Sequence, residues 1–256
     1  MSLSFAPASG AAPAARMLRA QTAMELRLLL RNGEQVGLTL VIPLLLEFFL
    51  NLPLVYSLDG RRIDFVVPSV LALAVMSASF TGLAIGTGFE RKYAVLKRLG
   101  ATALTRRTLL LGKTCAVLLL QVLQAALISG LGLALGWRPH GDPALVVLLL
   151  VIGTFAFGGL GLLLAGTLRA EVTLAAANLA WLVLLFAGGI AIPLDRYGAA
   201  RHVLQLLPSA ALSGGLHRVL QGPASAAGVN VWLALVTLLV WAAVALPAAA
   251  RWFRWE

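Results

Sequence analysis

The sequence predicts an all-α integral membrane protein. It has six transmembrane helices, an N-terminal amphipathic helix in the membrane interface, and both termini in the cytoplasm. Three observations carry that prediction. Of the 256 residues, 60% are hydrophobic and 12% charged, and the mean hydropathy is +0.93, whereas a soluble domain is about 25% charged. The charges are clustered between long apolar runs, as expected when lipid solvates the middle of each run. The basic residues are unequally divided between alternate breaks in the hydrophobicity.

Each element follows in order. Residues 1–15 are rich in Ala, Pro and Ser and lack an apolar stretch after a basic start, so they read as a short disordered tail and not as a signal peptide. Residues 17–31 read as a helix. At 100° per residue, Arg16, Arg19, Arg27 and Arg31 fall within about 120° of arc. Met17, Met24 and Leu28 share a neighbouring face. Such a helix suits the cytoplasmic interface, arginines toward the headgroups; a plain basic flank that only sets topology is the alternative.

A helix needs roughly 20 apolar residues to cross the hydrocarbon core. Runs of that length cover residues 36–55, 65–89, 114–135, 144–168, 172–194 and 229–250. Turn and charge signals separate them, among them Asp59-Gly60-Arg61-Arg62 and Arg169-Ala170-Glu171. Residues 16–256 thus form a single membrane domain, with no stretch left for a sizeable soluble one. With the N-terminus inside, the cytoplasmic segments hold Arg16, Arg19, Arg27, Arg31, Arg91, Lys92, Lys97, Arg98, Arg106, Arg107, Lys113, Arg169, Arg251 and Arg254. Only Arg61, Arg62, Arg138, Arg196, Arg201 and Arg218 remain outside. That imbalance sets the orientation and makes the net charge of +10 a topology signal before it is a nucleic-acid signal.

No catalytic constellation is visible. Cys115 is the lone cysteine, which excludes an intramolecular disulfide and a cysteine-based metal site. His140, His202 and His217 fall in segments expected outside, so Ser77, Ser79 and Ser129 have no base at membrane depth, and haem ligation has no facing histidine pair. Gly112-Lys113-Thr114 ends like a phosphate-binding loop, but Arg107 stands where that motif needs glycine. Leu212-Ser213-Gly214-Gly215 echoes an ATPase signature, yet close helix packing explains it. No catalytic, cofactor-binding or metal residues are assigned.

Glu47 is the one carboxylate inside a span, with Pro43, Asn51 and Pro53 around it. Intramembrane carboxylates usually face a bundle interior or a water path, so Glu47 and Asn51 are candidates for a translocation path or gate; a protonated or hydrogen-bonded structural residue is the alternative. Gly82-xxx-Gly86, Gly132-xxx-Gly136 and the cluster Gly153, Gly158, Gly159, Gly161 and Gly166 suit close helix packing, or a lining that changes shape.

The loop from Glu90 to Lys113 is the most informative stretch. Residues 90–99 suit a short helix with Gly100 at its end, and Thr105 is a plausible N-cap for the third span. Val95, Leu96 and Leu99 make an apolar patch among basic residues.

This loop resembles the coupling segment of the permease subunits of type-2 ABC exporters, the drug- and polysaccharide-export class. The resemblance rests on Glu90, Arg91, Leu96, Lys97, Leu99, Leu111, Gly112 and Lys113. It extends to the amphipathic helix ending Arg31-Asn32-Gly33-Glu34 and to the six-span plan. It also covers an outer helical hairpin around Leu207-Pro208 within residues 204–220. The chain departs from the family at Gly33 and Ala103, where prolines are common. The resemblance implies a permease in a bacterial cytoplasmic (inner) membrane that exports an amphipathic drug, lipid or lipid-linked glycan. It implies two copies of a separate ATPase, which would bind the ATP and Mg, and a second permease, identical or different. Glu90, Arg91, Val95, Leu96, Lys97, Arg98, Leu99 and Lys113 would then contact the ATPase. The rival readings are a secondary transporter driven by an ion gradient and a non-catalytic membrane assembly factor.

Overall fold

The computed structural model describes residues 12–51, 62–222, 225 and 227–254. The expected tail falls mainly outside these residues, but Ala14 and Ala15 already belong to α1 (Ala14–Arg31). After α1 come α2 (Gly33–Asn51) and a rod made of α3 (Arg62–Met76), a π turn (Ser77–Gly82) and α4 (Leu83–Lys92). Then follow α5 (Val95–Gly100), α6 (Arg106–Ala134), α7 (Pro143–Thr167) and α8 (Ala170–Ala187). A 3-10 turn (Leu194–Ala200), α9 (Arg201–Leu204), α10 (Pro208–Gln221) and α11 (Val231–Trp252) complete the chain.

Five helices are long and apolar enough to cross a membrane: Arg62–Lys92, α6, α7, α8 and α11. The apolar part of α2, Leu40–Leu50, is shorter, and residues 52–55 of the expected first span lie outside the described residues.

The caps explain where the helices begin. Thr105 accepts the Thr108 N–H at 3.2 Å, so α6 starts eight residues before the apolar run does. Asp142 accepts the Ala144 N–H at 2.8 Å ahead of Pro143, a proline in the first turn where its missing N–H costs nothing. Asn230 takes the N–H groups of Trp232 and Leu233. Helix α8 ends at Ala187, well short of the expected 194, because Gly189 turns left-handed at φ +70°.

One end of the bundle gathers α1, α5 and the α7–α8 turn. There Lys92 pairs with Glu171 at 2.5 Å, Arg91 donates to the Leu168 carbonyl, and the Arg254 N–H reaches the Gly166 carbonyl at 3.2 Å. At the other end α10 seals the bundle, packed on α3, α7 and α11. Its Gly214 carbonyl accepts from Val229 N, and its Leu220 carbonyl from His140 N. The main core lies between these elements, built on Val67, Met76, Phe157, Leu212, Leu216 and Leu238. A smaller core at the first end contains Leu96, Leu109, Leu162 and Phe253.

The π turn lies where the rod meets α6, α7 and α8. The Gln121 amide on α6 donates toward the Ala74 and Val75 carbonyls and to Ser79 Oγ, and Trp181 Nε1 donates to Ser77 Oγ at 3.0 Å. Gly161 lets α7 approach this turn: a Cβ there would lie 2.4 Å from the Phe80 carbonyl oxygen.

Candidate coupling and translocation site

Lys113 organises the end of the bundle that carries the 90–113 loop. Its ammonium lies 2.9 and 3.0 Å from the two Glu25 oxygens and 2.8 and 2.7 Å from those of Glu90. Gln21 Nε2 donates to Glu25 at 2.6 Å. The side chains of Lys113 and Glu25 are 3% and 9% exposed, that of Glu90 29%. Three elements, α1, α4 and α6, therefore meet on one cation. Close approach of α1 requires Gly112, where a Cβ would sit 2.5 Å from Gln21 Cγ. The residue that resembled a phosphate-loop lysine is held in a buried ion cluster.

The structure distributes the other predicted loop residues in two ways. Arg91, Lys92, Val95, Lys97 and Arg98 face outward or line a cleft of about 400 Å³ with Ala94, Arg169 and Glu171. Leu99 is half-buried. Leu96, expected in the outward apolar patch, is instead fully buried in the small core beside Leu109. The expected helix over 90–99 is also broken: α4 stops at Lys92 and Ala94 adopts φ 58° before α5 begins. Alanine gives no advance signal of a left-handed residue, which usually falls to glycine or asparagine.

On α1, Arg16, Arg19, Arg27 and Arg31 are exposed as expected, and so are Met24 and Leu28. What the helix buries is the strip Gln21–Glu25, set beside the apolar arc. That strip was missed because its partner lies 88 residues away.

Beside the ion cluster lies a basin of about 430 Å³ lined by Glu25, Glu90, Lys113, Leu29, Leu83 and Thr87. Thr87 is 1% exposed and its hydroxyl has no partner. A second, more apolar cavity of about 320 Å³ runs from there toward Pro43, Leu46, Val117 and Trp181. Leu29, Gly82 and Leu83 line both. Gly82 and Gly86 therefore border open space, whereas Gly158, Gly159, Gly161 and Gly166 sit in tight helix contacts.

Glu47 is fully buried, and neither carboxylate oxygen has a hydrogen-bond partner among the described residues. It lies against Gly132, where a Cβ would come within 3.1 Å of Oε1, beside Val67 and Trp137. The Trp137 indole N–H is likewise buried without a partner. The Asn51 side chain lies outside the described residues.

Pro208 occupies the first turn of α10 with Leu207 at its N-cap, so Leu207-Pro208 divides α9 from α10. Contrary to the sequence expectation, His217 is fully buried. Its Nε2 lies 3.1 Å from Ser69 Oγ and its Nδ1 3.0 Å from Gln221 Nε2, and Phe65 stacks on the ring at 4.8 Å. Ser69 thus has the histidine neighbour that the other span serines were expected to lack. The pair ties α10 to α3 within a packed core. Burial pushes the imidazole down to about 3. Gly214 and Gly215, from the ATPase-like string, pack against Val229, Leu149 and Ala234.

A comparison with curated proteins gave no match. A family model, described as ABC-2 family transporter protein, matches residues 56–251. The matched region runs from just before α3 through most of α11 and includes Glu90, Lys113 and the Leu207-Pro208 junction; α1 and α2, with Glu25 and Glu47, precede it. The chain belongs to the ABC-2 family of transporter proteins, as a membrane permease component of an ABC transporter, a subunit type that pairs with an ABC ATPase.

Proposed function

We propose that this chain is the translocating subunit of an ATP-driven exporter, moving an amphipathic drug, lipid or lipid-linked glycan out of the cytoplasm or inner leaflet. ATP hydrolysis takes place on a separate ATPase, present in two copies, beneath two permeases in a bacterial inner membrane. The observation that carries this reading is the Glu25–Lys113–Glu90 cluster. It fastens the 90–113 loop to both the second and third spans and to α1, so a push on the loop moves these elements as one body. Rigid-body movement of packed helices is an established means of switching between two arrangements.

The exposed Val95, Lys97 and Arg98 are the loop's contact surface for the ATPase. The paired cavities favour an amphipathic cargo: a polar basin with an unpartnered Thr87 hydroxyl opens onto an apolar chamber. The test is reconstitution of the chain with its ATPase in vesicles. Vanadate-sensitive ATP hydrolysis stimulated by the cargo supports the reading. Transport driven by an ion gradient without any ATPase supports the secondary-transporter alternative, for which Glu47 is the available ligand.

A further inference from the structure

We propose that the groove between α6 and α11 holds one anionic phospholipid, its phosphate between Arg107 and Arg251 and an acyl chain along Leu110, Leu111, Leu246 and Pro247. The groove encloses about 560 Å³, and its only charged lining residues are these two arginines. Helix α11 packs along α7 and meets α6 only marginally, which leaves the groove open toward the surrounding lipid. Pro247 lies inside α11 at its wall.

The two arginines are exposed and make no ion pair or hydrogen bond among the described residues. Arg107 also lies in the first turn of α6, which contains no acidic residue. Cations are disfavoured at that end of a helix dipole, so an anion between the guanidinium groups offsets an unfavourable arrangement. Guanidinium groups match phosphate oxygens in pairs, and basic pockets between helices on the cytoplasmic side are suited to anionic headgroups. The apolar floor identifies the anion as a lipid and not a free phosphate. This inference requires only that the chain lies in a membrane and stands apart from the exporter reading.

The test is native mass spectrometry of the purified full chain in detergent, titrated with dioctanoyl phosphatidylglycerol, dioctanoyl phosphatidylcholine or glycerol 3-phosphate. The expected result is saturable binding of one phosphatidylglycerol in preference to the other two. Arg107→Gln and Arg251→Gln should each weaken it about fivefold, and the double variant about thirtyfold. Arg138→Gln/Arg196→Gln, which removes the same charge at the other end of the bundle, should leave it unchanged. Equal binding of phosphatidylcholine, competition by glycerol 3-phosphate, or equal loss in the Arg138/Arg196 control each overturns the proposal.

Discussion

Lys113 reaches Glu90 at 2.8 Å across 23 residues of intervening chain, closing the 90–113 segment into a hairpin at its base. The same ammonium holds Glu25 on α1. The segment is consequently a braced projection of the bundle, stiff where it joins the second and third spans. Removing the cation should show this directly. Lys113→Met leaves Glu25 and Glu90 without their shared partner and should cost about 3 kcal/mol, toward the lower end for a broken buried ion pair because Glu90 is partly exposed. Thermal unfolding in detergent measures the loss. The triple variant Glu25→Gln/Lys113→Met/Glu90→Gln should regain part of that stability while remaining uncoupled. Full ATPase coupling in the triple variant would separate the cluster from function.

Leu96 and Val95 should part company on mutation. Leu96 is fully buried and Val95 is 39% exposed. Leu96→Ala should lower stability by about 2–5 kcal/mol, as truncation of a core leucine does. Val95→Asp and Arg98→Glu should leave the unfolding temperature alone and weaken ATPase co-purification. Unchanged co-purification with both surface variants would relocate the contact away from α5.

Glu47→Gln should be neutral or stabilising in thermal unfolding, since a buried carboxylate without a partner is costly and an amide less so. Transport should nonetheless fall if the carboxylate serves the path. Normal transport by both Glu47→Gln and Glu47→Ala would reduce Glu47 to a structural residue.

His217 sits in α10, which is too short to span a bilayer, and burial depresses its imidazole to about 3. The unfolded chain binds that proton near the ordinary 6.5, so the unfolded state is favoured as pH drops below 6.5. Stability should decline by about 1.4 kcal/mol per pH unit from this group between 6.5 and 3. His217→Gln should flatten the dependence of unfolding temperature on pH between 7.5 and 5; an unaltered slope would show that another group is responsible.

Topology is tested by labelling single cysteines in a Cys115→Ser background. Membrane-impermeant reagent applied to intact cells should modify positions near Arg61, His140 and Arg201 and spare Lys97. Labelling at Lys97 would reverse the orientation.

The helices were legible because lipid imposes a length and a composition on each span, and those constraints are local. Thr105 was readable as a cap for the same reason: its hydroxyl bonds an amide three residues away. The site was less legible where it depends on contacts distant in sequence. Nothing near Glu25 announces Lys113, and nothing near Ser69 announces His217, 148 positions away. Leu96 carried an ambiguous signal. An apolar residue in a basic loop can face a partner or its own protein, and only the packing of Leu109 and Leu162 in one small core decides for the latter. The early end of α8 was hidden because its continuation is equally apolar, and the deciding feature is the backbone of Gly189.

The π turn at Ser77–Gly82 gives the second span a fixed rotational phase. A π turn carries i→i+5 hydrogen bonds, so deleting one residue within it would let the helix close up as α. Everything beyond would then rotate by about 100° and draw in by about 1.5 Å. Glu90, two turns further on, would swing away from Lys113, and the face that Arg91 and Lys92 present to the α7–α8 turn would change with it. The span thus behaves as a keyed shaft. Its length in the membrane tolerates a single-residue deletion, but the angle at which it delivers its cytoplasmic end does not.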